Sequence, residues 1–193
     1  MQVLPIVDWS NVTNASYAFQ NDTSLSFSPK IISFPNAKSL VETFKYTNIL
    51  EICLDAPNAT DIYGILEHNT SIRKMSFTDS SKVARWSYCF AYCTSLKEVL
   101  NMDFSNCSVF GADCIRDTNN SIVKMQIFNL GKSACKSYHF SNTSWGTGSE
   151  ENRQSLIDSL ITYSYDRASA GMDTATITLS ENTKALLTES EIA

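Results

Sequence analysis

Several features that would assign a function are scarce in this chain of 193 residues. Charged residues make up only 18% of it, and no block of basic residues occurs, so the electrostatic footprint of a nucleic-acid-binding protein is missing. No apolar run approaches the roughly 18 residues that a membrane span needs. The first residues, "MQVLPIVDWSNVTNAS", have neither a basic region nor a long apolar stretch, so we expect no signal peptide there.

Signatures of catalysis and of cofactor binding are also missing. The only two histidines, His68 and His139, lie near no nucleophile motif. The sequence has no glycine-rich phosphate loop and no calcium-loop pattern rich in aspartate. We therefore expect a protein that is not an enzyme and that carries no cofactor and no metal.

Apolar and aromatic residues are, by contrast, plentiful. They amount to 43% and 11% of the chain, which is more than a disordered protein carries. The net charge is −5, and the length suits one domain or a segment of a longer array. The sequence therefore predicts a folded chain with a sizeable core.

Short segments similar to "CFAYCTSL" recur along the chain at a period of roughly 24 residues. Each begins with an apolar anchor and ends with a second one, and the two columns of anchors advance in step. This period falls in the range of leucine-rich repeats. The first column is Phe19, Phe44, Leu66, Phe90, Ile115 and Phe140, and the second is Leu25, Ile49, Ile72, Leu96 and Ile122.

Each second anchor is followed by a strand pattern. Apolar residues stand three and five positions after the anchor, as Met75 and Phe77 do after Ile72, and such residues share one face of a strand. The unit at Leu96 has Asn101 instead of an apolar residue at the fifth position. We expect a register shift or bulge there, with Met102 and Phe104 taking over.

The stretch between one strand and the next repeat has a different spacing. Val83, Trp86, Phe90 and Cys93 recur every three to four residues, which favours one or two turns of α-helix or 3₁₀-helix behind the strand. Each unit is then strand, turn, short helical piece and turn. Since one unit cannot bury its own apolar face, stacked units must share a continuous core. The predicted fold class is an α/β solenoid of five to six units.

The cysteines fit the repeat better than they fit a metal site. Cys89 and Cys93 lack the two-residue spacing of zinc or redox motifs. Cys93 occupies the position that Asn69 has in the preceding unit, and Cys53 lies inside a strand. We expect buried structural thiols, while a disulfide between Cys89 and a cysteine of a neighbouring repeat stays open.

The repeat resembles the BspA-like family of leucine-rich repeats, whose units often read F-x-x-C-T/S-S-L-x-x-I-x-I. The match is "FAYCTSLKEV" at Phe90 to Val99, with weaker copies in "LEHNTSIRKM" and "IRDTNNSIVKM". The resemblance covers roughly residues 1–145, although the repeat lengths are irregular. It implies a recognition protein that is exposed on a cell surface or associated with a virion, of the kind found in gut Bacteroidales and their phages.

The remaining residues, 146–193, predict a cap of helix, strand and helix. Ser149 is a plausible N-cap for a helix that carries an apolar stripe of Leu156, Ile157, Leu160 and Ile161. "TATITL", 174–179, predicts a strand, and Ser180 can cap the helix after it. A helix start at "TESE" comes two residues before the end, so we expect that the sequence is cut short or that its last turn frays.

The predicted function is recognition of a host protein or glycan, outside the cell or at its surface. The alternative is a structural component of a phage virion or fibre. Side chains at even positions of each strand must point away from the core and form one open face. The same alternation also places Met102 on this face. The candidate ligand-binding residues are Glu51, Asp55, Lys74, Ser76, Thr78, Glu98, Lys124, Gln126 and Phe128, and the oligomeric state is left open.

Overall fold

The computed structural model describes residues 8–27, 31–111 and 113–192, and its centre is a parallel sheet. Five strands form this sheet in the order β1-β2-β3-β5-β7, each one a coil further along the chain. The elements are β1 (Ile31–Ser33), β2 (Glu51–Asp55), β3 (Lys74–Asp79), β4 (Arg85–Trp86), β5 (Glu98–Asp103), β6 (Val109–Phe110), β7 (Lys124–Phe128), a 3₁₀-helix (Leu130–Lys132), β8 (Ser137–Phe140), α1 (Glu150–Ser169), β9 (Thr176–Leu179), α2 (Glu181–Lys184) and α3 (Glu189–Ile192).

The strands stack because the chain winds as a β-solenoid of about four turns, which confirms that the repeats form a solenoid. Ile52, Met75, Val99 and Met125 lie side by side in register and point into the core. A second ladder joins Asp61 to Arg85 by a parallel bridge and β4 to β6 by a parallel pair. Each coil is thus hydrogen-bonded to the next at more than one place.

Both anchor columns lie where the repeat predicts them. Phe44, Leu66 and Phe90 are fully buried, and their backbone N–H groups donate to carbonyls of the following coil: Ile65, Cys89 and Cys114, at 2.9, 3.0 and 2.8 Å. The second column, Leu25, Ile49, Ile72, Leu96 and Ile122, is buried as well. The first anchor, Phe19, is partly buried and stacks on Phe44 with ring centroids 5.4 Å apart.

The predicted helical pieces between the strands are wrong. Within 34–111 the segments between the strands form turns instead of helices, and Trp86 belongs to the short strand β4. Tyr46, His68 and Tyr92 have left-handed backbones with φ of 58°, 62° and 61°, which a helix does not tolerate. Because the N–H groups in these turns bond to the next coil, the three-to-four spacing marks inward-facing turn residues.

The predicted irregularity after Leu96 is confirmed. The pairing of β5 with β7 shifts between Val99 and Met102, and Asn101 adopts φ 60° and is exposed. Met102 and Phe104 are buried in its place. Placing Met102 on the outward face was therefore wrong, because the bulge turns it into the core.

The segment after the last coil follows the predicted order of helix, strand and helix. Ser149 caps α1 by accepting a hydrogen bond from the Asn152 N–H at 3.2 Å, and Ser180 caps α2 in the same way. Of the predicted apolar stripe, Leu156 and Ile157 are buried and Leu160 is partly buried. Ile161 is 62% exposed, so the stripe is narrower than predicted.

Among the described residues, no helix is both long and apolar enough to cross a bilayer.

Candidate functional site

The outward face of the main sheet carries all nine of the predicted ligand-binding residues. In β2 and β7 buried and less buried side chains alternate, because successive side chains of a strand point to opposite sides. The nine residues are half-buried or exposed, and the inward positions between them are closed. The sequence therefore located this face correctly, while its role in binding stays a prediction.

Charged side chains form the first row across this face. Glu51, Lys74, Glu98 and Lys124 are neighbours in register, so the sign of charge alternates from strand to strand. Lys74 Nζ lies 3.0 Å from Glu98 Oε2. Lys124 continues the row to Glu151 on α1, and their hydrogen bond and opposite charges lower the pKa of the Glu151 carboxyl. The part of the row that lies on the four strands is neutral, with two carboxylates and two lysines.

The opposite edge of the face, where the strands end, carries carboxylates that are held differently. Asp55 accepts hydrogen bonds from the hydroxyls of Ser33 and Thr78, at 2.6 and 2.7 Å. Asp103 accepts one from the Asn129 amide at 3.0 Å. Within the described part of the chain, Asp55 and Asp103 form no ion pair with a lysine or arginine. This edge is consequently the more acidic one.

Helix α1 closes the face on the side of β7. Met125 of β7 presents its carbonyl to two side chains, the indole N–H of Trp145 at 3.1 Å and the hydroxyl of Ser155 at 2.9 Å. These bonds cover the otherwise open edge of the last strand, which a solenoid must protect. The Ser155 bond also ties α1 to this edge.

An open groove of about 610 Å³ lies in this corner. Its sheet wall contains Lys124, Gln126 and Phe128, with Asp103 and Asn129 at one end. Its helix wall contains polar residues of α1: Glu151, Gln154, Ser155, Asp158, Ser159 and Thr162. The structure thus brings three of the predicted residues together and leaves the other six on the flat part of the face.

The groove combines an apolar surface with hydrogen-bonding groups. Phe128 is 44% exposed, whereas every other phenylalanine among the described residues is buried or partly buried. Gln126 offers a planar amide beside it, and Asp158 accepts a hydrogen bond from the Gln154 amide at 2.7 Å. Such a mixture orients a ligand by polar contacts and holds it by apolar burial.

Sequence reasoning missed the helix wall of the groove. It treated "EENRQSLIDSL" as a cap whose acidic residues favour the helix start. The available signal was topological: the edge of the last sheet strand, β7, needs a cover, and α1 is the first long helix after it. Its polar face then meets the outward face of the sheet.

The histidines lie in positions that the repeat explains. His68 stacks between Tyr46 and Tyr92, with ring centroids 4.5 and 4.1 Å apart. His139 lies in β8 beside Thr178 of β9. Neither lines the groove. Trp86 is fully buried between Phe77 and Phe104.

The six cysteines are free thiols in the structure, and five of them are buried. Cys93 occupies the turn position of Asn69, and its thiol contacts the Leu66 carbonyl at 3.1 Å. Burial raises the pKa of Cys89 and of Cys93, so these thiols are poor nucleophiles. Across the described residues, no group of three or more His, Cys, Asp and Glu side chains is arranged to hold a metal ion.

Comparison with known proteins gives no assignment. No family model, no curated protein and no solved structure matches this chain. The geometry of the groove therefore has to carry the functional argument.

Proposed function

We propose that this chain is a recognition module that binds a protein or glycan in the groove between β7 and α1, without catalysing a reaction. The observation that carries the proposal is the exposed Phe128 ring, set among amides, hydroxyls and carboxylates in a groove of about 610 Å³. Concave sites that pair an apolar surface with a few fixed polar groups are the usual form of binding sites.

The charges of the groove define the chemistry of the ligand. Asp103, Glu151 and Asp158 accept hydrogen bonds, and the one lysine among the lining residues, Lys124, is already engaged by Glu151. A ligand must therefore supply donors, either the hydroxyls of a glycan or the amino and guanidinium groups of a protein. A polyanion such as a nucleic acid is repelled.

The setting that we propose is extracellular, at a cell surface, and the repeat type is BspA-like. The support for the repeat type is the turn position shared by Asn69 and Cys93 in the middle of "FAYCTSL"-type segments. Solenoids of stacked repeats present extended surfaces for binding. The absence of a catalytic constellation in the sequence fits the same interpretation.

Screening the purified protein against a glycan array and against secreted host proteins tests this proposal, followed by calorimetry with the best ligand. We expect Phe128→Ala and Gln126→Ala to weaken binding at least tenfold, because central apolar anchors dominate interfaces. Ser76→Ala is the matched control on the same face outside the groove. Lys74→Ala shows whether the ligand extends across the sheet. If Phe128→Ala and Gln126→Ala bind the ligand as tightly as the unaltered protein, at an unchanged melting temperature, the groove is rejected as the site.

The alternative is a structural role in a phage virion or fibre. The observation that favours it is a second exposed apolar surface on α1, where Ile161 and Tyr165 are 62% and 73% exposed. Such surfaces are commonly covered in assemblies. Light scattering over a range of concentrations tests this alternative: a monomer at all concentrations contradicts it, and an assembly that Tyr165→Ser disrupts supports it.

A further inference from the structure

Two buried cysteines face each other where the last coils meet the segment that follows them, 130–190, which we call the closing segment. The sulfur atoms of Cys107 and Cys135 lie 3.3 Å apart. Cys107 follows β5, and Cys135 lies between the 3₁₀-helix and β8. Cys107 is 0% exposed and Cys135 is 5% exposed.

The backbone around this pair is tied together independently of the sulfurs. The carbonyl of Cys107 accepts hydrogen bonds from the Ala134 N–H at 3.1 Å and from the Ser133 hydroxyl at 2.8 Å. The buried guanidinium of Arg167 donates to the Ser133 carbonyl at 3.1 Å and to the Cys135 carbonyl at 3.5 Å. The two thiols are therefore fixed neighbours, and a bond between them requires the sulfurs to approach by only about 1.3 Å.

The surroundings also favour one thiolate in the pair. The Cys107 thiol, the Ser133 hydroxyl and the Arg167 charge lower the pKa of the Cys135 thiol. Cys135 is also the sulfur nearer the surface, since it is 5% exposed against 0% for Cys107 and lies between the exposed residues Ala134 and Lys136. Cys135 is therefore the attacking sulfur.

We propose that Cys107 and Cys135 are a site of reversible disulfide formation with a low-molecular-weight disulfide as the oxidant. The Cys135 thiolate attacks one sulfur of the oxidant, breaks its S–S bond and expels one thiolate. The sulfur of Cys107 then attacks Cys135 in the mixed disulfide and expels the second thiolate, and its proton passes to a released thiolate. Two protein thiols are oxidised by two electrons, and one small disulfide is reduced to two thiols.

The bond between Cys107 and Cys135 closes a loop that contains the sheet wall of the groove. Residues 108–134 include β6, β7 and the 3₁₀-helix, and so they carry Lys124, Gln126 and Phe128. A link between neighbouring coils here restrains the unfolded chain and the strand that forms the sheet wall of the groove. The Cys93 thiol contacts a carbonyl, and Cys53 lies on the sheet face. Cys89 and Cys114 form a second thiol pair, but both are 0% exposed, so an oxidant from solution reaches Cys135 more readily.

Oxidation of the full-length protein with glutathione disulfide tests the proposal. One sample is oxidised while folded and another during refolding from the reduced, denatured state, and both are acid-quenched, alkylated and mapped by mass spectrometry without reduction. We expect a peptide linking Cys107 to Cys135, and a rise in melting temperature of roughly 5–10 °C that excess dithiothreitol reverses. Cys107→Ala should show neither, and Cys93→Ala should show both.

The mapping also decides against the proposal where it is wrong. Absence of the Cys107–Cys135 link in both samples overturns it, as does a link formed only together with random pairs of the other cysteines. If Cys107→Ala fails to fold, the linked peptide and the reversible shift in the unaltered protein decide alone. A linked protein whose melting temperature does not rise overturns the inference that the bond restrains the last coil.

Discussion

The coils, 31–128, and the closing segment, 130–190, satisfy their backbones in different ways. In the coils a turn N–H finds its acceptor about one repeat away, as Leu66 does at the Cys89 carbonyl. The closing segment begins in the same way, since the Ser144 and Gly146 N–H groups donate to the Ile122 and Val123 carbonyls. Its helix α1, however, bonds within itself and reaches the coils through side chains such as Ser155, which donates to the Met125 carbonyl next to Trp145. Stability is therefore distributed along the coils but concentrated in a few contacts where α1 docks.

The largest expected loss of stability comes from replacing a buried aromatic residue, and its pattern should differ between the coils and the closing segment. Trp145 is fully buried, and its replacement by alanine removes both its packing and its hydrogen bond to Met125, at a cost of about 3–5 kcal/mol. Phe90→Ala removes a core anchor at a similar cost. We expect Trp145→Ala to release the closing segment first and to give two transitions in urea, while Phe90→Ala shifts a single transition.

Urea denaturation followed by circular dichroism at a helix-sensitive wavelength measures this difference, since α1 is the longest helix described. Ile161→Ala, on the exposed side of α1, is the control and should change stability by less than about 0.5 kcal/mol. A single transition in Trp145→Ala would contradict the contrast between concentrated and distributed stability.

Substituting one glycine in each region shows how well that region tolerates an added β-carbon. A β-carbon on Gly131 would collide with the Tyr163 carbonyl and lie 2.7 Å from Asp166 Cβ, so α1 would have to move, at about 3 kcal/mol. Gly64 has φ 60°, and its nearest contact would be the flexible Glu42 side chain at 3.0 Å. We expect Gly64→Ala to cost only about 1 kcal/mol, and thermal melting of both variants to show the larger loss for Gly131→Ala.

The success of the sequence analysis follows the same division. Periodicity located the strands and the buried anchor columns because their spacing recurs along the chain, and it located the bulge after Leu96 because Asn101 breaks that spacing. It failed where a repeated spacing has two structural meanings: Val83, Trp86 and Phe90 suggested a helix, while left-handed residues such as Tyr88 and Tyr92 impose turns. The left-handed backbone of a tyrosine has no signature in the sequence.

The sequence predicted only the sheet wall of the candidate site, for a related reason. Lys124, Gln126 and Phe128 were assigned to the outward face by the alternation of side chains along β7. Asp158 and Gln154 reach the same groove from α1, which occurs once in the described chain and offers no periodicity for comparison. Their proximity depends on how α1 docks, and only the tertiary structure supplies that.

A smaller effect tests whether the shared turn position of the coils is equivalent in energy. The Asn69 side chain accepts from the Ser71 and Ile72 N–H groups at 3.2 and 3.0 Å and donates to the Thr47 hydroxyl at 3.1 Å. Cys93, in the next coil, makes a single thiol contact to a carbonyl. Asn69→Ala leaves a buried N–H without its acceptor, so we expect it to cost about 1–2 kcal/mol more than Cys93→Ala.

Denaturation midpoints in urea measure both variants, and Asn69→Cys is the informative control. If the repeat treats asparagine and cysteine as equivalent, this variant recovers most of the loss. A cost of Asn69→Cys as large as that of Asn69→Ala would show that the turn after each first anchor is specific to its own coil.

The smallest effect concerns the one ion pair that joins the charged row of the coils to the closing segment. Lys124 lowers the pKa of Glu151 below its ordinary value, first through their hydrogen bond and then through charge. Because the folded-state pKa is the lower one, the pair stabilises the fold at neutral pH, and this contribution is lost as the pH falls through the folded-state pKa. Glu151 is fully exposed and salt screens it, so the effect is small.

Melting temperatures of the unaltered protein and of Glu151→Gln should differ slightly at neutral pH in low salt and converge on acidification. Glu150→Gln, whose partner Arg153 lies on the same helix, is the control for charge alone. A difference that persists unchanged at acidic pH would mean that Lys124 does not tie the sheet to α1 through this carboxylate.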